Sequence, residues 1–249
     1  FPAGSSFQTS VPPVARIAMA VNTSDTLSLA LVAAVSVALD TINADPTILP
    51  NTTLLLQLGA WDASTPISAA VAALAQEPDV HGVVGPLYSP EVVAVATAVP
   101  GVPLVSPVAS LSSLASPTQW PFFLRMVGGD PHQAEALLSV VLDYQWSRVI
   151  LVSFGDEPYS ADIAATFMKL AEKVDNFGTV QVVLSTTMSD AGIASEMSRA
   201  RGTGVRVIML LSLVDYACQV LTHAFAAGLM EPGYAWVGSD AWLTPPLDS

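Results

Sequence analysis

The sequence predicts an α/β protein built from two doubly wound lobes, each a parallel sheet flanked by helices. Two observations carry that prediction. Short β-branched or apolar runs alternate with longer Ala-rich segments of helical period almost from end to end, the pattern of repeated βαβ units. Hydrophobic residues make up 52% of the 249 positions and charged residues 12%, a balance that suits a large core with sheets buried on both faces.

The first strand is expected over Val14 to Val21, followed by a helix from Asp25 to Asn43. Turn residues at Asp45-Pro46 and Leu49-Pro50-Asn51 lead to a strand from Thr53 to Gly59. The next helix, Thr65 to Gln76, is stopped near Glu77-Pro78, because a residue before proline avoids the helical region. His81 to Val84 reads as a short strand. Ser89-Pro90-Glu91 then opens a helix with Ser89 as N-cap and proline at the first helical position, where its missing N–H is harmless. Val102 to Val105 is a strand, Pro107 to Pro121 a Ser- and Pro-rich loop, and Phe122 to Met126 a strand.

The alternation restarts there, which divides the chain into a first lobe over 1–126 and a second over 127–249. Asp130-Pro131-His132-Gln133 has the spacing of a capping box, with Asp130 as N-cap and Gln133 at the third helical position of a helix reaching Gln145. Strands follow at Arg148 to Ser153, Thr179 to Leu184, Val205 to Leu210 and Tyr234 to Val237. Helices lie between them at Tyr159 to Val174, Ala191 to Ala200 and Val214 to Ala227. No fixed repeat is visible, which disfavours a solenoid.

Charge excludes several classes of partner. Twenty-one acidic residues against 8 basic ones give a formal charge of −13, and the basic residues are scattered. A nucleic-acid partner or an anionic lipid surface would need a positive face that is missing here. With one cysteine, Cys218, no intrachain disulfide can form, and cysteine usage does not reveal the compartment. The stretch from Thr26 to Leu39, bounded by Asp25 and Asp40, falls short of the ~20 residues that span a bilayer, so it is expected to be a buried helix. Phe1-Pro2-Ala3-Gly4 has neither a basic nor an apolar leader region, so any signal peptide and any membrane anchor are expected outside this segment. The triplets beginning at Asn22 and Asn51 are glycosylation sequons, compatible with secretion.

Catalytic signatures are sparse. The one GxG, Gly202-Thr203-Gly204, follows a helix and precedes a strand, the wrong order for cradling a pyrophosphate. There is no phosphate-binding GxxxxGK[ST] and no GxSxG elbow, and Lys169 and Lys173 read as solvated on a helix face. His81, His132 and His223 are isolated and Cys218 has no partner, so no metal set is expected. The sequence thus calls for no cofactor and no enzyme activity.

Several blocks resemble one family in order and spacing. They are Ala38-Leu39-Asp40-Thr41-Ile42-Asn43-Ala44-Asp45-Pro46 with Leu49-Pro50-Asn51-Thr52-Thr53-Leu54, then Gly82-Val83-Val84-Gly85-Pro86 and Phe122-Phe123-Leu124-Arg125-Met126-Val127. Tyr144-Gln145-Trp146-Ser147-Arg148-Val149 and Val237-Gly238-Ser239-Asp240-Ala241-Trp242 complete the set. Together they resemble the type I periplasmic-binding-protein-like family, which includes the natriuretic-peptide-receptor ligand-binding region, class C receptor ectodomains and branched-chain amino-acid binding proteins. The resemblance ends before the family's return crossovers, which implies an incomplete second lobe.

It also implies a ligand held between lobes, touched by loops at the carboxyl ends of strands. On that basis Ser89 is a hydroxyl donor to a ligand carboxylate, although it serves equally well as an N-cap. Ser110 takes a second hydroxyl role, while Val108 departs from the family by losing a polar contact. Asp130 matches a carboxylate of the cleft, Tyr159 an aromatic that covers the ligand, and Asp240 a carboxylate that accepts from a ligand ammonium. Trp61 and Asp62 are further, weaker candidates.

Two charged ends on one guest, with hydroxyls for the acid and carboxylates for the amine, would let an amino acid favour the closed state by its differential contacts. The leading expectation is therefore an extracellular sensing module of a membrane receptor that closes on a small polar metabolite of the amino-acid class. A homodimer through the first lobe is possible on the same fold. A structural or interaction domain with a vestigial cleft, a solute-binding component of a transporter, and an enzyme on the same fold remain as alternatives.

Overall fold

The computed structural model describes residues 13–62, 64–76 and 79–242. The proline stop at Glu77-Pro78 lies outside the described residues. The chain forms two compact units, one comprising the described residues up to Ala109 together with Ser116–Val127, the other Ser110–Ala115 together with the residues from Gly128 onward.

In the first unit, β1 (Val14–Asn22), β2 (Thr53–Trp61), β3 (Val80–Val84), β4 (Leu104–Ser106) and β5 (Phe123–Arg125) form a parallel sheet in the order β2-β1-β3-β4-β5. The crossovers are α1 (Thr26–Ala44), α2 (Ile67–Gln76) and α3 (Ser89–Ala98). The stretch expected as loop between β4 and β5 contains one 3₁₀ turn, Ser112–Ala115.

In the second unit, β6 (Arg148–Phe154), β7 (Gly178–Leu184), β8 (Val207–Leu211) and β9 (Ala235–Gly238) are parallel in the order β7-β6-β8-β9. The helices are α4 (Asp130–Asp143), α5 (Pro158–Ala171), α6 (Asp190–Gly202) and α7 (Val214–Ala226). The predicted fold class is thus the observed one, with element ends shifted by a few residues.

Alternation along β6 builds two cores in the second unit. Ile150, Val152 and Phe154 face one way with Ile193, Met197 and Val220, and Val149 and Leu151 face the other with Leu138, Ile163 and Phe167. A strand covered on both faces needs an unbroken apolar run, which Val149-Ile150-Leu151-Val152 supplies.

The apolar stretch beginning at Thr26 corrects the sequence reading. It lies within the 19-residue helix α1, whose only buried residues are Ser28 and Leu39. Leu29 and Val37 are 47% and 66% exposed, and Ala30, Ala33, Ala34 and Ala38 continue the same open face. A crossover helix touches its sheet along one stripe only, so apolar residues all round it cannot all be covered by that sheet. By length and composition α1 could cross a membrane. It joins β1 to β2, however, which pair residue for residue in parallel from Val14↔Thr53 to Asn22↔Trp61, so the chain must return along the same sheet.

Three helix starts show why cap positions shift. The Tyr88 carbonyl accepts from Val92 N–H, so Tyr88 is the N-cap of α3, and Ser89 is its first helical residue rather than the cap. Gly129 is the N-cap of α4, its carbonyl accepting from His132 N–H at 2.9 Å, which leaves Asp130 as the first helical residue, so the expected capping box is absent. At α5 the Glu157 carboxylate accepts from Tyr159 and Ser160 N–H. Proline is harmless at each start because the opening N–H groups of a helix have no intrahelical acceptor.

Candidate functional site

In each sheet the strand order reverses once, at β1/β3 and at β6/β8, and such switch points open a crevice at the carboxyl ends of the strands. In the second unit Ser160, fully buried, closes the floor of that position. Its hydroxyl accepts from Phe154 N–H at 2.7 Å and donates to the Leu211 carbonyl, tying the ends of β6 and β8 to the start of α5.

Tyr159, the preceding residue, is half-buried. Its phenol oxygen lies 2.9 Å from Gln133 Oε1 and 3.1 Å from Asp240 Oδ1. A phenol carries one proton, so it donates to the Asp240 carboxylate, and both contacts are satisfied once the Gln133 amide is turned to present its NH₂. Burial, and then the nearby Asp240 charge, push the phenol well above the usual tyrosine range, while a Ser239 hydrogen bond acts against them.

Asp130 is 1% exposed. Released from capping, its carboxyl bonds to Ser110 and Asp162, while its Oδ2 is buried without a hydrogen-bond partner. Its backbone N–H donates to the Ser110 carbonyl at 2.9 Å, and Ser112 N–H donates to Asp162 Oδ2 at 2.9 Å. Burial pushes the Asp130 carboxyl up to about 7; the Ser110 bond opposes the shift, and Asp162 and Asp240 add to it. A carboxyl at the start of a helix normally gains from the dipole, but here desolvation and like charge win.

Four of the sequence candidates, Ser110, Asp130, Tyr159 and Asp240, therefore belong to one constellation in the second unit. Ser110 sits against the Asp130 carboxyl, in an acidic rather than a hydroxyl setting. Gln133 and Asp162 are members that the sequence reading did not single out for binding. Each lies three residues beyond a candidate, Asp130 or Tyr159, and so shares its helix face; that spacing was the available signal.

The first-unit candidates have local roles. Trp61 is buried, and its carbonyl accepts from the backbone and hydroxyl of Thr23. Asp62 accepts from Ser64 N–H, Ser64 Oγ and Thr65 N–H, and these bonds hold its carboxyl below the usual range. Ser89 is half-buried at the start of α3, after the cis Gly85–Pro86 bond and a Gly85 φ of 77° that favours glycine. Of the sequons, Asn51 is exposed, and Asn22 accepts from Ser24 N–H at 3.0 Å. Among the described residues no three His, Cys, Asp or Glu side chains are grouped to hold a metal ion.

Comparison with known proteins agrees with this architecture. The chain is 28% identical over 239 residues to glutamate receptor 3.1 of Oryza sativa subsp. japonica, covering 95% of this chain and 25% of the relative. It is 29% identical over 175 residues to glutamate receptor 3.7 of Arabidopsis thaliana, covering 70% of this chain and 19% of the relative. Against the metabotropic glutamate receptor of Drosophila melanogaster, identity is 24% over 235 residues, with 82% of this chain and 24% of the relative covered. The chain thus spans about a quarter or less of these relatives, all of them receptors by name. Residues 30–247 match the family described as the receptor family ligand binding region, and the chain belongs to that family.

Proposed function

We propose that this chain is the extracellular ligand-sensing module of a membrane receptor, that it binds an amino acid, and that it signals by closure. The observation that carries the proposal is the second-unit constellation, in which Asp130, Asp240, the Tyr159 phenol and the Gln133 amide surround one end of a sheet at its switch point. Oxygen acceptors with an uncompensated buried carboxyl oxygen suit an ammonium group, because a cation would supply the donors that Asp130 Oδ2 lacks. Ser89, the first helical residue of α3, supports a carboxylate contact on the first unit, with Trp61 and Asp62 as minor contributors. The sequons at Asn22 and Asn51 fit an exported protein.

The test is isothermal titration of the chain against a panel of amino acids. Saturable binding of one or more, weakened at least about tenfold by Asp240→Ala or Tyr159→Ala, supports the reading. Binding that both variants leave unchanged overturns the site, and no binding by the folded chain overturns the function.

A second reading, compatible with the first, is association through the first unit. The open apolar face of α1, which includes Leu29 and Val37, favours a second copy of this chain as its cover. A concentration-dependent dimer that Val37→Lys dissociates is the expected result, and a monomer at all concentrations would exclude it.

A further inference from the structure

Charge is sorted between the two ends of the second sheet. Of the 8 basic residues, Arg16 and Arg125 belong to the first unit, and all the others lie at the end where the strands of the second sheet begin. Arg148 opens β6, and Arg206 immediately precedes β8. Lys169, Arg199 and Arg201 occupy the last turns of α5 and α6, and Lys173 follows the end of α5. The strands are parallel and the helices run back between them, so helix ends and strand starts share one end.

The opposite end, where strands finish and helices start, carries carboxylates instead. Asp130, Asp162 and Asp240 belong to the constellation around Tyr159. Asp156, Glu157 and Asp215 lie in the adjoining loop, at the N-cap of α5 and in the first turn of α7. Among the described residues of the second unit no Lys or Arg stands at this end. His132, in the first turn of α4, carries an imidazole rather than a fixed cation.

The three central carboxyls act on one another. The Asp130 carboxyl is hydrogen-bonded to Asp162 and feels the charge of Asp240, and its buried Oδ2 has no partner. The ion pairs of the second unit, Arg199–Glu196, Arg201–Glu231 and His223–Asp190, engage other acids. A ligand ammonium brings one positive charge to this group, and the remaining negative charge meets whatever the ligand's side chain carries.

We infer that the site selects its amino acid by charge, favouring a second cationic group on the side chain, as in arginine, and rejecting an acidic side chain, as in glutamate. The inference rests on the amino-acid reading above and adds the class of amino acid. A side-chain cation gains charge-assisted hydrogen bonds from the carboxylates. A side-chain carboxylate faces like charge with no fixed cation to receive it, which is how a binding surface discriminates against a wrong partner.

The test is calorimetric titration of the full chain with two pairs of ligands that match in shape and differ in charge, arginine with citrulline and glutamine with glutamate. Arginine should bind at least about tenfold more tightly than citrulline, and glutamine at least about tenfold more tightly than glutamate. Both ratios should shrink as salt screens the field. Asp162→Asn keeps an acceptor for Ser112 N–H and removes one charge. It should cut the arginine-to-citrulline ratio at least about threefold with little change for citrulline, whereas a purely structural role would weaken all four ligands alike. Unchanged ratios in that variant overturn the part given to Asp162. Binding of any amino acid without these preferences overturns this inference and leaves the amino-acid reading standing. No binding of any amino acid overturns that reading, and this inference falls with it.

Discussion

The phenol of Tyr159 and the carboxylate of Asp240, 81 positions apart in the chain, are joined by a hydrogen bond of 3.1 Å. One belongs to the first turn of α5 and the other to the 3₁₀ turn after β9. Each strand-to-helix turn ends at the same sheet edge, so side chains far apart in sequence meet there.

Tyr159→Phe removes that bond and keeps the ring. A hydrogen bond to a charged acceptor is worth ~1.5–3 kcal/mol, so amino-acid affinity should fall about tenfold or more if the phenol orders Asp240 for the ligand. Calorimetric titration of parent and variant measures it. The thermal midpoint should move by only a few degrees, because Tyr159 is half-buried.

Burial pushes the Asp130 carboxyl up to about 7 in the folded chain, from an ordinary value of 3.8. Between those values the folded state holds more protons than the unfolded state, so stability falls as pH rises from about 4 to about 7 and is flat above that. Asp130→Asn, which mimics the protonated form, should flatten its part of that slope and raise the midpoint at pH 8. Thermal melts from pH 4.5 to 8 measure both. Glu91, pushed up to about 7 mainly by burial, contributes a slope of the same sign in the first unit.

Ligand binding should show the opposite trend. An ammonium is drawn to ionised Asp130, so affinity should drop about tenfold per pH unit below about 7 and level off above it. Titrations at pH 5.5, 6.5 and 7.5 measure the slope, and Asp130→Asn should remove it.

Ser160→Ala deletes the hydroxyl that accepts from Phe154 N–H and donates to the Leu211 carbonyl in a fully buried position. Leaving two buried backbone groups unpaired costs ~1–3 kcal/mol each at most. Urea denaturation should show a lower midpoint with an unchanged slope.

Phe167→Ala opens the core between α5 and the sheet, where Phe167 is 0% exposed and meets Phe177 edge-on at 6.5 Å. A loss of ~3–5 kcal/mol is expected, also by denaturation, and a loss under ~1 kcal/mol would mean that this core is looser than its burial implies.

The alternation of strands and helices, the places where Pro90 and Pro131 open helices, and the fully apolar strand at Val149 to Val152 were all legible in the chain. Each depends on a few consecutive residues, because hydrophobic period and proline chemistry act locally. Tertiary structure decided the rest. Asp130 reads as a cap from its neighbours, yet it is a buried carboxyl because Ser110 and Asp162 surround it and Gly129 takes the cap. The apolar stretch from Thr26 reads as buried, yet α1 keeps Leu29 and Val37 open because no element of the described chain covers that face. Burial and proton affinity depend on which distant segments arrive alongside, and that information is absent from any local window of residues.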